Sequence, residues 1–345
     1  MRTAVVILNW NTREYLRKFL PALLKSVAGM GEVVVADSAS TDGSMEMLAA
    51  EFPSVRRIPL DANYGFTGGY NRALAQLDSE YFILINSDIE VTEGWLAPLV
   101  EWMDSHPDCG ACGPKLLSYY DHRSFEYAGA AGGFLDRYGY PFCRGRVLKR
   151  VCEDRGQYDN PCNVAWVSGA CLMTRSSLWK EMGGLDDRFF AHQEEIDYCW
   201  RLQLAGFDVS VVPQSVVYHL GGGTLPQDSP WKLELNYRNN LLLLENNLAA
   251  TIGSGPARRR IAFRKLLDFG SALVYLLTLK PSYAAAVFKG HAGYRKLRSQ
   301  GRKSPVTRDK RTAALTAYDR FLLIPTAALK GKGIFDYLDH YENSN

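Results

Sequence analysis

The chain has 345 residues, long enough for one large α/β domain with an appendage or for two domains. With 47% apolar and 22% charged residues it is a globular sequence, which excludes a disordered chain. The net charge of +3 conceals a split: 18 Lys and Arg stand against 6 Asp and Glu from Thr251 to Asn345, and 22 against 31 over residues 1–250. An acidic body therefore carries a basic tail suited to an anionic partner, membrane lipid or nucleic acid.

The first 115 residues alternate strand and helix. Thr3–Leu8 is a β-rich run, and Thr12 is placed to cap a helix reaching about Val27, with Tyr15, Leu16, Phe19, Leu20, Leu23 and Leu24 at helical spacing. Glu32–Ala36 is a second strand, Ser40–Gly43 a turn, 44–51 a helix and Val55–Pro59 a third strand. Helix is expected over Thr67–Leu77 and Gly94–Met103, with a buried strand, Tyr81–Ile85, between them. This order argues a mostly parallel sheet flanked by helices. Residues 116–165, with Gly129, Gly132, Gly133, Gly139 and Gly145 among aromatics, read as loops and short hairpins over one face. Trp166–Thr174 and Val209–Val217 (broken by Pro213) read as strands, Glu194–Ala205 as a helix, and the chain turns helical from about Trp231. Ser254-Gly255-Pro256 reads as a linker, dividing a body of 1–250 from a basic amphipathic helical region of 251–345.

Seven cysteines are scattered without a second pair to complement Cys109-x-x-Cys112, so reduced buried thiols are expected in place of structural zinc. Thr3–Leu8 is too short for a secretory signal and Asn9 interrupts it; no run of 18 apolar residues exists, Asp268 breaking the best approach at Leu266–Leu279. The expectation is a cytosolic protein that adheres to a membrane.

Polar groups recur at the ends of the predicted strands: Asn9 and Asn11 after the first, Asp37 after the second, Asn63 and Gly65 after the third, Asn86, Ser87 and Asp88 after the fourth. In an open α/β sheet ligands bind along this C-terminal edge. Asn86 and Asp88, two apart on extended chain, point the same way. An oxygen pair there suits a hard divalent cation holding a diphosphate; the plainer alternative is an Asn/Asp turn. The chain lacks Gly-x-Gly-x-x-Gly after its first strand and a Gly-Lys-Ser/Thr phosphate loop, which argues against a dinucleotide dehydrogenase and a P-loop NTPase.

Jointly, several segments carry a resemblance. Val5–Asn11, Ala36-Asp37-Ser38-Ala39-Ser40-Thr41-Asp42-Gly43-Ser44, Asn63-Tyr64-Gly65-Phe66-Thr67-Gly68-Gly69-Tyr70-Asn71, Asn86-Ser87-Asp88, Phe190–Arg201 and Val217-Tyr218-His219-Leu220-Gly221-Gly222 follow in order across roughly residues 3–245. In these the chain resembles the inverting glycosyltransferases of family 2 with the GT-A fold, and within them the rhamnosyltransferase-like branch.

The resemblance implies roles. Asn9, Asn11, Asp37, Asn63, Gly65, Asn86 and Ser87 would line the nucleotide-sugar pocket, the glycines letting backbone approach the ligand; Asp37 is also a natural turn former. Asp88 and His219 would hold Mg²⁺ or Mn²⁺ on the diphosphate, imidazole suiting Mn²⁺ better. Glu195 would be the general base, with Glu194 and Asp197 as competitors, and Asp197–Arg201 an i,i+4 pair. Trp166, Ser168, Gly169 and Asp186 would lie on the acceptor side, where Trp166 either covers a sugar face or is core.

Three residues depart from the family pattern: Asn86 stands where the metal motif begins with Asp, Ser38 where Asn is frequent, and Glu195 where Asp is common. The extra methylene of Glu195 moves the carboxylate by about 1.5 Å.

The implied function is sugar transfer from a nucleoside diphosphate, with rhamnose as leading donor guess, to a saccharide or lipid-linked saccharide in surface polysaccharide assembly; the resemblance also implies the inner face as the side of the membrane to which the protein adheres. A catalytically inactive nucleotide-sugar-binding module on the same fold is the alternative; a sugar-1-phosphate nucleotidyltransferase would need a basic Gly-rich loop that Asn9–Thr12 lacks. The basic tail either lies on an anionic membrane or packs on the body as a helical subdomain, and no nucleic-acid partner is expected because aromatics are not interleaved with its basic clusters.

Overall fold

The computed structural model describes residues 2–221, 229–300 and 313–344. Strand and helix alternate through β1 (Thr3–Asn9), α1 (Arg13–Val27), β2 (Gly31–Asp37), α2 (Ser44–Glu51), β3 (Arg56–Pro59), α3 (Gly65–Leu74) and β4 (Tyr81–Ile85). Next come β5 (Ile89–Val91), α4 (Leu96–Ser105) and β6 (Cys109–Ser118), then four short strands, β7 (Gly133–Leu135), β8 (Pro141–Cys143), β9 (Arg146–Val147) and β10 (Arg150–Val151). These are followed by β11 (Cys162–Asn163), β12 (Cys171–Arg175), α5 (Ser176–Glu181), α6 (Glu194–Leu204) and β13 (Asp208–His219). The remainder is helical: α7 (Pro230–Ile252), α8 (Ser254–Leu277), α9 (Pro281–Arg298), α10 (Ala313–Thr316), α11 (Leu323–Lys330) and α12 (Ile334–Ser344).

The main sheet has the order β11-β13-β6-β12-β4-β1-β2-β3, with β5 also on β13. β1 pairs in parallel with β2 and β4, while β12 runs antiparallel between β4 and β6. Both faces are covered. Val5, Ile7, Ile83 and Ile85 enter one core, and Ala4, Val6, Phe82 and Leu84 the other, as a period of two requires. The register brings the strand ends level: Asn9 lies opposite Asp37, and Ile7 opposite Ile85. On the other side of the sheet His219 pairs with Ile89, which sets it next to Asp88.

Several expectations need correction. Thr12 does not cap α1 with its side chain, because its hydroxyl donates to Asn9 Oδ1 at 2.5 Å. The stretch 166–170 is not strand: Ser168 Oγ accepts from Ala170 N and Ser168 O from Cys171 N, a turn that delays β12 to Cys171. β13 is not broken at Pro213 but continues through an irregularity between Val212 and Val216. Ser254-Gly255-Pro256 is not a linker. It is the first turn of α8, where proline is tolerated, and the break with α7 falls at Gly253 with φ 85°.

Among the described residues no helix is long and apolar enough to cross a membrane, and all seven cysteines are free. The C-terminal helices pack: α8 and α9 both lie on α7, and Arg264, Asp268 and His291 form a buried charged cluster between them. Gly222 and the basic residues Arg302 and Lys303 lie outside the described residues.

Candidate active site

At the C-terminal ends of β1 and β2 the polar side chains bind one another. Asn9, fully buried, donates to Asp37 Oδ1 (2.6 Å) and to Ser40 Oγ (3.0 Å), and Asp37 Oδ2 accepts from Ser40 N (2.9 Å). Asn11, exposed and with φ 55°, accepts from Thr41 N at 2.8 Å. The turn-forming role of Asp37 is thus realised, while each carboxylate oxygen keeps a further lone pair. Asn63 Oδ1 accepts from Gly65 N at 2.9 Å and so organises the entry to α3. Gly65 is needed for a reason other than ligand approach. At φ 70°, a Cβ there would stand 2.5 Å from the Phe190 carbonyl oxygen, which accepts from both Phe66 N and Thr67 N.

After β4 the structure brings Asn86, Asp88 and His219 together. His219 Nε2 is 3.2 Å from Asp88 Oδ1 and 3.4 Å from Asn86 Nδ2, with Ser87 buried beside them. On the far side of the ring, His219 Nδ1 lies 3.3 Å from Glu126 Oε1, and Glu126 Oε2 accepts from Ala128 N at 2.5 Å. Burial alone would discharge His219; the carboxylates of Glu126 and Asp88 outweigh it and raise its pKa to about 10. Burial also works against the charge of Asp88, yet His219 and the Gly221 backbone N–H hold its carboxyl below the usual carboxylate value. Among the described residues no group of three or more His, Cys, Asp or Glu is arranged to hold a metal. Asp88, His219 and the Asn86 amide nevertheless form a hard oxygen and imidazole donor set that suits Mg²⁺ or Mn²⁺ when diphosphate oxygens complete the shell. Glu126 supplies the carboxylate that metal-bound histidines characteristically face with their other nitrogen.

The second half of the site is the loop before α6. Phe190, His192 and Gln193 all have positive φ (64°, 72° and 68°), a left-handed run that persists only under strong local restraint. Asn239 of α7, fully buried, provides it by donating to the carbonyls of Phe189, Ala191 and His192, and Arg238 also donates to Phe189 O. The loop delivers Glu194 and Glu195 at the helix start. Glu195 Oε2, Glu194 Oε2 and His192 Nε2 are buried with no hydrogen-bond partner among the described residues. Burial raises the Glu195 carboxyl to about 7, against the backbone N–H groups of the helix start, and burial together with the charge of Glu195 pushes Glu194 well above its ordinary value. Burial and Lys232 push His192 down to about 4.

Gly169 joins the two halves. A Cβ there would lie in ordinary contact with Phe66 and Glu195, and the adjacent Ala170 O accepts from Asn86 N. The charges of Arg146, Glu126 and Glu195 all act on the Cys143 thiol, which burial raises to about 11.

Three expected site residues turn out to be bound up in packing. Asp197 pairs with Arg201 at 2.8 Å as the i,i+4 reading anticipates, and its other oxygen accepts from Asn246 and Asn247, so it is not presented as a base. Asp186 is held by Arg188 and Asn246. Trp166 is core: its indole lies against Gly133, where a Cβ would come within 2.2 Å, and Nε1 donates to Phe134 O. Two residues escape a reading of the sequence. Glu126 sits in an irregular stretch with no motif, and Asn239 was detectable only as part of a polar triplet, Arg238-Asn239-Asn240, before the apolar run Leu241–Leu244.

Comparison with known proteins adds to this geometry. The model of a family described as glycosyl transferase family 2 matches residues 4–181. N-acetylglucosaminyl-diphospho-decaprenol L-rhamnosyltransferase of Mycobacterium tuberculosis is 27% identical over 255 residues, 70% of this chain and 83% of that protein. Among solved structures, S. aureus TarS 1-349 in complex with UDP-GlcNAc superposes with a TM-score of 0.54 at 16% identity, covering all of this chain and 91% of that one. GalNAc-T7 with UDP, GalNAc and Mn²⁺ gives 0.54 at 17% identity over 71% of this chain, which spans about half of that longer protein (48%).

Proposed function

The chain belongs to glycosyl transferase family 2 and has the GT-A fold, and from that premise we propose a metal-assisted inverting transfer in which Asp88 and His219 manage the diphosphate and Glu195 the acceptor hydroxyl. The observation that carries the reading is the line Asp88–His219–Glu126 standing across the Gly169 turn from Glu195, whose Oε2 is buried without a hydrogen-bond partner among the described residues and whose pKa burial raises to about 7.

Asn9, Asn11, Asp37, Asn63 and Gly65 shape the pocket edge that receives the base and ribose, and Asn86 and Ser87 border the diphosphate. Asp88, His219 and Asn86 would hold Mg²⁺ or Mn²⁺, a reading supported by the Mn²⁺ in the GalNAc-T7 complex. When bound, the ion offsets the charge that grows on the departing nucleoside diphosphate. Glu195 accepts the proton of the acceptor hydroxyl as its oxygen attacks the anomeric carbon and the bond to the diphosphate breaks; one base and no covalent intermediate suffice for inversion. Gly169 and Glu194 border the acceptor side.

The name of the mycobacterial relative, an L-rhamnosyltransferase for N-acetylglucosaminyl-diphospho-decaprenol, supports rhamnose as the sugar and a lipid-linked saccharide as the acceptor; a dTDP donor and a role in surface polysaccharide assembly complete the proposal. With such an acceptor the protein would work at the inner face of the membrane, residues 1–250 forming the catalytic body and 251–345 facing the lipid.

The test is thermal stabilisation by UDP-, GDP- and dTDP-sugars with Mn²⁺ and with EDTA, followed by product analysis. A ligand that binds only the native state raises its stability by RT ln(1 + [L]/Kd). A shift with one nucleotide that vanishes in EDTA supports the site; binding without turnover on any acceptor would favour an inactive sugar-binding module.

A further inference from the structure

The helix α8 is amphipathic the wrong way round for a helix in water. Its inner face carries Arg264 and Asp268, both buried: Arg264 donates to Asp268 and Asn240, and Asp268 Oδ2 lies 3.0 Å from His291 Nε2. Its outer face is apolar. Phe263, Leu266, Leu273 and Leu277 stand in solvent at helical spacing, followed in the turn to α9 by Leu279, 89% exposed. Phe288 of α9 extends the same surface beside Phe269, ring centroids 5.8 Å apart. Half of the exposed large apolar side chains among the described residues fall between 263 and 288, so this is a contiguous patch and not scattered surface leucines.

The charge around the patch selects what covers it. Between residues 254 and 300 there are ten Lys and Arg, and the only acid, Asp268, is buried and paired. Lys280 and Lys289 flank the apolar tip and are exposed, and Arg295, Lys296 and Arg298 follow along α9. Arg298 is paired with Glu245 of α7 at 2.8 Å, while the strip itself is bordered by cations with no exposed acid on α8 or α9. This matches an anionic lipid surface, in which the strip enters the acyl boundary and the cations meet headgroup phosphates.

The tip also lies toward the start of α7, the end of that helix nearest the loop that delivers Glu195. α9 runs alongside α7 with Gly290 against Glu234 and Tyr237. At 1.5 Å per residue the stretch from Gly290 back to Pro281 carries the hairpin about 13 Å toward and past the start of α7 at Pro230. That same end of α7 bears Trp231, whose ring lies 6.2 Å from Phe190 of the strained loop that delivers Glu195.

We propose that the α8–α9 hairpin docks the protein on anionic phospholipid through its outer apolar strip and tip, turning the mouth of the active site toward the bilayer. This rests on the reading of a membrane-borne acceptor and names the surface that meets the lipid.

The experiment is co-sedimentation of the full chain with vesicles of phosphatidylcholine alone and of equal parts phosphatidylcholine and phosphatidylglycerol. Binding to the mixed vesicles should exceed binding to phosphatidylcholine by about tenfold or more and weaken with salt. Leu277→Glu with Leu279→Glu, both fully outside the packed core, should lower it by about tenfold or more while thermal stabilisation by UDP or dTDP with Mn²⁺ stays as in the parent. No binding of the parent to mixed vesicles, or equal binding by the variant, overturns the proposal. So does a parent that sediments as a dimer and ignores vesicles while the variant is monomeric, because the strip then belongs to a second copy. Vesicle binding with no nucleotide response would instead sink the catalytic reading and leave the docking surface standing.

Discussion

His219 Nδ1 stands 3.3 Å from Glu126 Oε1 while its Nε2 faces Asp88, so one imidazole spans two carboxylates from distant parts of the chain. In the proposed site a metal would displace the Nε2 proton of His219, and Glu126 would hold the proton on Nδ1. Glu126→Gln should raise the Mn²⁺ concentration needed for half-maximal activity by about ten- to a hundredfold, the usual effect of removing such a partner. A titration of rate against Mn²⁺ checks this, and an unchanged midpoint would leave Glu126 a packing residue.

Asp88→Ala removes the carboxylate that faces His219 Nε2. Turnover should fall by on the order of a hundredfold or more, the scale for losing a group that stabilises developing charge. Steady-state kinetics at saturating Mn²⁺ tests it; a near-normal rate would take Asp88 out of the mechanism.

Glu195 must be ionised to act as base, and burial lifts its pKa to about 7. The rate should therefore climb as pH rises through about 7 and level off above. Stability should move the other way. The native state holds this proton more tightly than the unfolded chain, so the contribution present at low pH is lost as pH rises through 7. Glu195→Gln should lose the rising limb and about 10² to 10⁴ in rate while keeping nucleotide affinity. Equal loss of nucleotide binding would mark Glu195 as structural.

Asn239 holds three carbonyls of the left-handed loop. Asn239→Ala should cost about 1–3 kcal/mol in urea unfolding, because buried acceptors lose their donor. It should lower kcat more than it raises the donor KM, since the loop carries Glu195. A loss of stability with kcat intact would confine Asn239 to folding.

The parallel half of the sheet was legible because Thr3–Leu8, Glu32–Ala36 and Tyr81–Ile85 are β-branched or aromatic runs ending in turn residues. β6 was not, because Gly110, Gly113 and Pro114 break the pattern of a strand whose burial is imposed by β12 and β13 on either side. At the site, Asp88, His219 and Glu195 fall in motifs with fixed spacing. Glu126 reaches His219 only through the fold, and the commitment of Asp197 to Arg201, Asn246 and Asn247 needed a helix some fifty residues later in the chain. Helical periodicity indicated that the tail is apolar and basic, yet which face of α8 turns outward was decided by the Arg264–Asp268–His291 cluster on its other side.

The Phe190 carbonyl, which receives two N–H groups from the first turn of α3, ties the Asn63–Phe66 loop to the segment that carries Glu195, the proposed donor and base segments, through a single peptide unit. A chimera that imported another donor loop without its matching 189–195 partner would inherit a mismatch at that peptide. Donor preference and acceptor geometry in this chain should therefore be exchangeable with relatives only as one cassette, never separately.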